Sequence, residues 1–151
     1  MKLVNKLCIS VLAPAFLFAA SDAYAQETPT TAPAGVKIVE AKEVQDLQGK
    51  GATLVDTRKA SEYGEGSIKG AISVPYDPEK SAKDAGFDSK MDKFDMSKLA
   101  DKSSHIVLFC NSGTCWKSYK AAVVLAKSGY SNVYWYRNGV PDWKARKLPM
   151  E

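Results

Sequence analysis

Short apolar runs alternate with stretches of helical period from residue 36 almost to the end of the chain. Five runs stand out: VKIV at 36–39, ATLV at 52–55, residues 68–74, HIVLF at 105–109 and VYWY at 133–136. Their length and their β-branched and aromatic content predict strands. Between them, residues 41–48 place Val44 and Leu47 on one helical side, and residues 59–63 fit a short helix. Residues 119–128 carry Ala121, Ala122 and Leu125 on one side, with Gly129 as a stop signal, and residues 140–147 fit a last helix before Pro149. Residues 77–104 are polar, with charges of both signs; the spacing of Met91, Phe94 and Leu99 predicts one helix within them.

Strands separated by helices need crossover connections, which are right-handed and leave the strands parallel. Nearly continuous apolar strands suit a sheet covered on both faces. The expected fold is therefore α/β: an open parallel five-stranded sheet with helices on both faces, spanning residues 36–150.

Ahead of that domain the pattern changes twice. Lys2 and Lys6 precede an apolar run over 7–20, and Ala23-Tyr24-Ala25 has the small-x-small form of a signal-peptidase site. The run is shorter than the about 20 residues a membrane span needs. Residues 1–25 read as a secretory signal that carries Cys8 away with it. The mature chain is then expected to begin at Gln26 in the periplasm, with no stable membrane insertion. QETPTTAPAG, residues 26–35, offers no large apolar side chain and reads as a flexible linker. The net charge of the 151-residue chain is +4, without any Lys/Arg block, so nucleic acid is not an expected partner.

Two cysteines remain, in FCNSGTCWKS at 109–118. Thiols this close suit a metal, a disulfide or sulfur chemistry. His105 is the only histidine, so a four-ligand zinc site is not expected, and no cofactor is implied. Ligands of open α/β sheets bind beyond the carboxyl ends of the strands. Cys110 ends the most hydrophobic strand, and the loop after it leads into a helix, whose N-terminus carries about half a positive charge. Gly113 permits a tight, inward-facing loop. A thiol there ionises readily, with a pKa of about 3.5–7.5. Cys110 and Cys115 are the candidate catalytic residues, with Cys110 favoured as nucleophile and Cys115 as the nucleophile in its place or a disulfide partner. Asn111, Ser112, Gly113, Thr114, Trp116, Lys117 and Ser118 are the candidate substrate-binding residues.

The sequence resembles the rhodanese-like domain family over about residues 36–150. Leu54-Val55-Asp56-Thr57-Arg58 is similar to its hVDvR signature, and Glu62-Tyr63 followed by GSIKGAISVP at 66–75 to its E-Y-x-x-GHIpGAinvP block. Phe109-Cys110-Asn111-Ser112-Gly113 resembles YCxxG, and residues 133–136, Gly139, Trp143 and Pro149 resemble its C-terminal block. Four blocks in order imply a sulfurtransferase fold whose loop cysteine takes a sulfane sulfur as a persulfide. The resemblance gives Asp56 and Arg58 a role in holding loops together rather than in catalysis. The chain departs from the family at Ser67, where a His is usual, and in the loop, where C-x-x-G-x-R-S is replaced by a form that gains Cys115-Trp116 and reaches Lys117-Ser118 two places late. Trp116 stands where the C-x-x-x-x-x-R pattern of related phosphatases and arsenate reductases has Arg.

What the resemblance implies is a periplasmic sulfurtransferase that passes sulfur from thiosulfate or a polysulfide to a thiol acceptor or reductant protein, with Lys117 on the anion. The second cysteine keeps two alternatives open: a dithiol/disulfide redox protein, and a catalytically silent binding module. A loop that curls round an anion brings its ends together, so a Cys110–Cys115 disulfide is expected at rest or during turnover.

Overall fold

The computed structural model of the protein describes residues 26–99 and 101–151; the expected signal over 1–25 lies outside the described residues. Five strands form one sheet: β1 (Val36–Ile38), β2 (Thr53–Asp56), β3 (Ile72–Ser73), β4 (His105–Phe109) and β5 (Asn132–Tyr136). Their order is β1-β5-β4-β2-β3, and every pair is parallel. The open parallel α/β sheet expected from the sequence is the fold observed.

Period-two alternation feeds two cores, one on each face. Val55, Ile106, Leu108, Val133 and Trp135 point to one side and pack with α3 (Trp116–Lys127). Leu54, Val107, Phe109 and Tyr136 point to the other and pack with Val44 of α1 (Ala41–Gly49) and Val140 and Trp143 of α4 (Gly139–Ala145). Helix α2 (Ala60–Gly64) follows β2. Trp143 is core, as its place in the pattern implied, and its Nε1 donates to Pro149 O at 2.8 Å. Among the described residues no helix is long and apolar enough to cross a membrane.

Three elements differ from the sequence expectation. The helix over Met91, Phe94 and Leu99 does not form; two single 3-10 turns, Ser89–Met91 and Met96–Lys98, stand in its place. The reason is local: Asp88, Asp95 and Asp101 each accept the backbone N–H two residues on, which offers the chain an alternative to helical pairing. The Asp92 carboxylate accepts from Lys80 N, Ser81 N and Tyr76 Oη, fixing an irregular loop instead. That loop is pinned to α3 by Lys120, whose fully buried Nζ lies 2.8 Å from Glu79 Oε1 and donates to Ser81 Oγ at 2.9 Å. The third strand contracts from 68–74 to two residues, because Ile68 bridges antiparallel to Met150 and Gly70 turns the chain at φ +81°. Helix α3 begins at Trp116, ahead of the expected 119, with Cys115 as its N-cap residue.

Candidate active site

Strand register sets the site. Ser73, Asp56, Phe109 and Tyr136 lie in one row across β3, β2, β4 and β5, so all four strands end at one level. The next residues therefore converge: Thr57 and Arg58 after β2, Cys110 after β4, Arg137 after β5. Thr57 N and Oγ1 both donate to Phe109 O, at 3.0 and 2.8 Å, and tie β2 to the base of the cysteine loop. On the other side Val140 N donates to Cys110 O at 2.9 Å. Gly139 makes this approach possible: a Cβ there would stand 2.1 Å from Cys110 O, and its φ is +62°. This is a physical reason for the glycine of the C-terminal block.

Cys110 and Cys115 are joined by a disulfide, with Cα atoms 6.2 Å apart. The separation falls inside the range of about 4.4–6.8 Å that bridged cysteines adopt. The two sulfurs differ in setting. Cys110 is 1% exposed at the strand end, whereas Cys115 is half-buried at the N-cap of a 12-residue helix. The first-turn N–H groups of such a helix have no partner within it, and they favour negative charge at the N-cap. Of the two cysteines, Cys115 is thus the more exposed and the one at the helix N-terminus, whereas Cys110, the nucleophile favoured from the sequence, is the covered one.

The remaining loop residues divide. Cys115 N donates to Ser112 O at 3.0 Å, and Ser112 Oγ and Thr114 Oγ1 bond each other at 2.9 Å, which shapes the turn. Asn111 Nδ2 donates to Glu62 Oε1 at 2.7 Å. Two expected anion contacts are engaged elsewhere. Lys117 is 13% exposed and donates to Tyr76 O at 3.0 Å and Asp77 Oδ1 at 3.1 Å, anchoring the loop after β3. Ser118 Oγ, buried, accepts Trp135 Nε1 at 3.0 Å. Asp56 and Arg58 form a buried ion pair at 2.6 Å, which is the loop-holding role expected of them. His105 is exposed and stacks on Tyr134 at the opposite, N-terminal end of the strands.

Residues 26–35, read from composition as a free linker, are docked at their start. Thr28 is 2% exposed; its N and Oγ1 both donate to Gly113 O, at 2.8 and 2.6 Å. Trp116 Nε1 donates to Gln26 O at 2.7 Å, so the buried indole is a contact of the docked segment. Arg137 donates to Pro29 O at 3.2 Å and Thr28 O at 3.0 Å. Thr28, Glu62, Arg137 and Gly139 are the residues sequence reasoning gave no site role. Glu62 and Gly139 sat inside recognised motif blocks; Arg137 is signalled only by following β5 in register with Cys110.

The Asn111 hydrogen bond holds the Glu62 carboxyl below its ordinary value of 4.5, against a smaller opposing effect of burial. A depressed folded pKa means that the carboxylate steadies the loop above the ordinary value and stops doing so as pH falls through the folded one. The rate at which a phosphine reduces the parental disulfide, taken relative to Glu62→Ala at the same pH, is expected to rise as pH falls below the ordinary carboxylate value. At neutral pH Glu62→Ala should be the faster of the two, and the difference should close in acid.

A family model described as Rhodanese-like domain matches residues 40–146. Comparison with curated protein sequences gives no significant match. Among solved structures, the Rhodanese_3-like domain of an Anabaena sp. protein is 25% identical, with a TM-score of 0.50, covering 66% of this chain and 98% of that one. A Bacillus halodurans protein is 23% identical with a TM-score of 0.58, covering 76% of each chain. A thiosulfate sulfurtransferase from Pseudomonas aeruginosa is 21% identical with a TM-score of 0.51; the match covers 77% of this chain and 20% of that enzyme.

Proposed function

The chain belongs to the rhodanese-like domain family, and from that premise we propose that it is a periplasmic sulfurtransferase whose second loop cysteine couples sulfur transfer to thiol redox. The observation that carries the reading is the Cys110–Cys115 bridge on the strand-end loop, with one sulfur covered and the other at a helix N-terminus.

In the reduced protein the Cys115 thiolate attacks the outer sulfur of thiosulfate. The S–S bond of the donor breaks, sulfite leaves, and Cys115 holds a persulfide. The helix N-terminus stabilises the anionic donor and the persulfide at that point. A thiol acceptor can then take the outer sulfur. Without one, the Cys110 thiolate attacks the inner sulfur of the persulfide. Sulfide leaves, the Cys110–Cys115 bond forms, and the two electrons that reduce the sulfane sulfur come from the two thiols. An external thiol reductant reopens the bridge before the next cycle. A polysulfide enters the same way, with a shortened polysulfide as leaving group.

A second reading, a dithiol/disulfide redox protein acting without sulfane sulfur, is favoured by the same bridge. Intact-protein mass measured beside sulfite and sulfide separates the two. Reduced protein given one equivalent of thiosulfate is expected to release one sulfite and one sulfide and to end two hydrogens lighter than its reduced form. Unchanged mass with no sulfite sinks the sulfurtransferase reading.

A further inference from the structure

The docked segment makes its contacts mainly through its backbone. Gln26 O accepts from Trp116, Thr28 N donates to Gly113 O, and Thr28 O and Pro29 O accept from Arg137. Only two side chains take part: the Thr28 hydroxyl, on the same Gly113 oxygen, and the exposed Glu27 carboxylate, 3.3 Å from Arg137 Nη2. The groove is built for close approach. A Cβ at Gly113 would lie 2.7 Å from the Arg137 Cζ, so the guanidinium rests directly against the loop. Gly113 and Trp116 flank Cys115 in sequence. A backbone is therefore held against the two residues, Gly113 and Trp116, that lie to either side of Cys115 in the loop, by donors and an acceptor that read main chain rather than side-chain identity.

We propose that Gly113, Trp116 and Arg137 form a groove for an extended polypeptide, that residues 26–29 occupy it as a tethered stand-in, and that the thiol partner of this protein is a cysteine pair in an extended or unfolded protein segment. This names the partner class for the reductant step above and rests on that reading of Cys115. A partner segment displaces the strap and takes over its hydrogen bonds. One partner thiolate attacks Cys115 Sγ; the Cys110–Cys115 bond breaks, and Cys110 leaves as a thiolate and takes a proton from water. The second partner thiol attacks its own neighbour in the mixed disulfide and frees Cys115. The partner leaves oxidised to a disulfide, and the protein is reduced by two electrons.

Cys115 is only partly buried with residues 26–29 docked, so a small reductant reaches the bridge with this strap in place, whereas a peptide needs the groove. Thr28→Lys puts a charge where the side chain is 2% exposed and releases the strap without touching the core. The test uses the oxidised full mature chain, with two reductants: a small water-soluble phosphine, and an unstructured synthetic peptide with two cysteines among Thr, Glu and Pro. Thr28→Lys is expected to raise the rate with the peptide about tenfold, the change that about 1.4 kcal/mol of strap docking corresponds to. The phosphine rate should stay within about twofold, under that same docking argument. Adding Arg137→Ala should remove the gain with the peptide only. A free peptide QETPTT, supplied to the Thr28→Lys protein, should slow the cysteine peptide again, which guards against a folding artefact. Equal acceleration of both reductants would make the strap a plain cover and overturn the groove. So would no acceleration with the peptide, or a free QETPTT peptide without effect. No sulfane sulfur enters this assay, so its outcome is independent of whether thiosulfate is a donor.

Discussion

Reduced Cys115→Ser protein given thiosulfate is expected to gain no sulfur and release no sulfite, while Cys110→Ser gains one sulfur and keeps it. The asymmetry follows from where the two sulfurs sit. Cys115 is half-buried at the helix N-cap, and Cys110 is 1% exposed beneath it, held at its carbonyl by Val140 N. A donor anion meets Cys115 first, and the helix N-terminus favours both the attacking thiolate and the persulfide. Serine at 115 offers no comparable nucleophile, so turnover falls to background. Serine at 110 leaves attack intact but removes the thiol that expels sulfide, and the persulfide persists until an acceptor arrives. Intact mass and sulfide release, followed together, read both effects. The reverse pattern, with Cys110→Ser dead and Cys115→Ser stably persulfidated, would return the nucleophile to the strand end. That is the assignment which the family pattern suggests by itself.

That contrast also marks how far the sequence could be read. Strands were legible because period-two alternation is a local consequence of burial on both faces: Ile106 and Leu108 feed one core, Val107 and Phe109 the other. The ends of β2 and β4, and thus the neighbourhood of Cys110, followed from where those apolar runs stop. What escaped was decided by hydrogen bonds between residues far apart in the chain. Thr28 looks like linker because it is small and polar, yet it is buried, with two bonds to Gly113 O. Arg137 looks like a solvated turn residue, and only the Phe109–Tyr136 register brings it beside the loop. In 77–104 the apolar spacing mimicked a helix. The aspartates that turn the backbone elsewhere were visible, but not their partners. Asp92, for example, serves Tyr76, Lys80 and Ser81 across the loop.

Asp56→Ala is expected to lower stability by about 3–5 kcal/mol, the usual cost of removing one partner from a buried ion pair. Asp56 is fully buried, and its carboxylate accepts from Arg58 N, Nε and Nη2 and from Ser67 Oγ. Arg58 is itself buried, and its Nη2 also donates to Gly66 O at 2.8 Å. Deleting the carboxylate leaves a buried guanidinium without its ion-pair partner, together with an orphaned hydroxyl on Ser67. For a domain of this size the loss corresponds to a fall in Tm of about 10–20 °C. Asp56→Ala/Arg58→Met removes both charges and refills part of the volume, so it should recover part of the loss; the residual, about 1 kcal/mol for each group, reflects Gly66 O losing its donor and Ser67 Oγ and the residue 58 N–H losing their acceptor. Neither residue touches the disulfide. The pair instead fixes the end of β2, from which Thr57 N and Oγ1 hold Phe109 O one residue before Cys110. Sulfite release per folded molecule should therefore stay near parental in the double variant, while its melting profile shifts. Denaturant unfolding of the three proteins, read with a sulfite assay on the same samples, checks both halves. An Asp56→Ala protein within about 1 kcal/mol of the parent would show the pair to be wet and weak, as exposed ion pairs are. A stable double variant with sulfite release at background would instead move Asp56 or Arg58 from holding the loop to taking part in the chemistry.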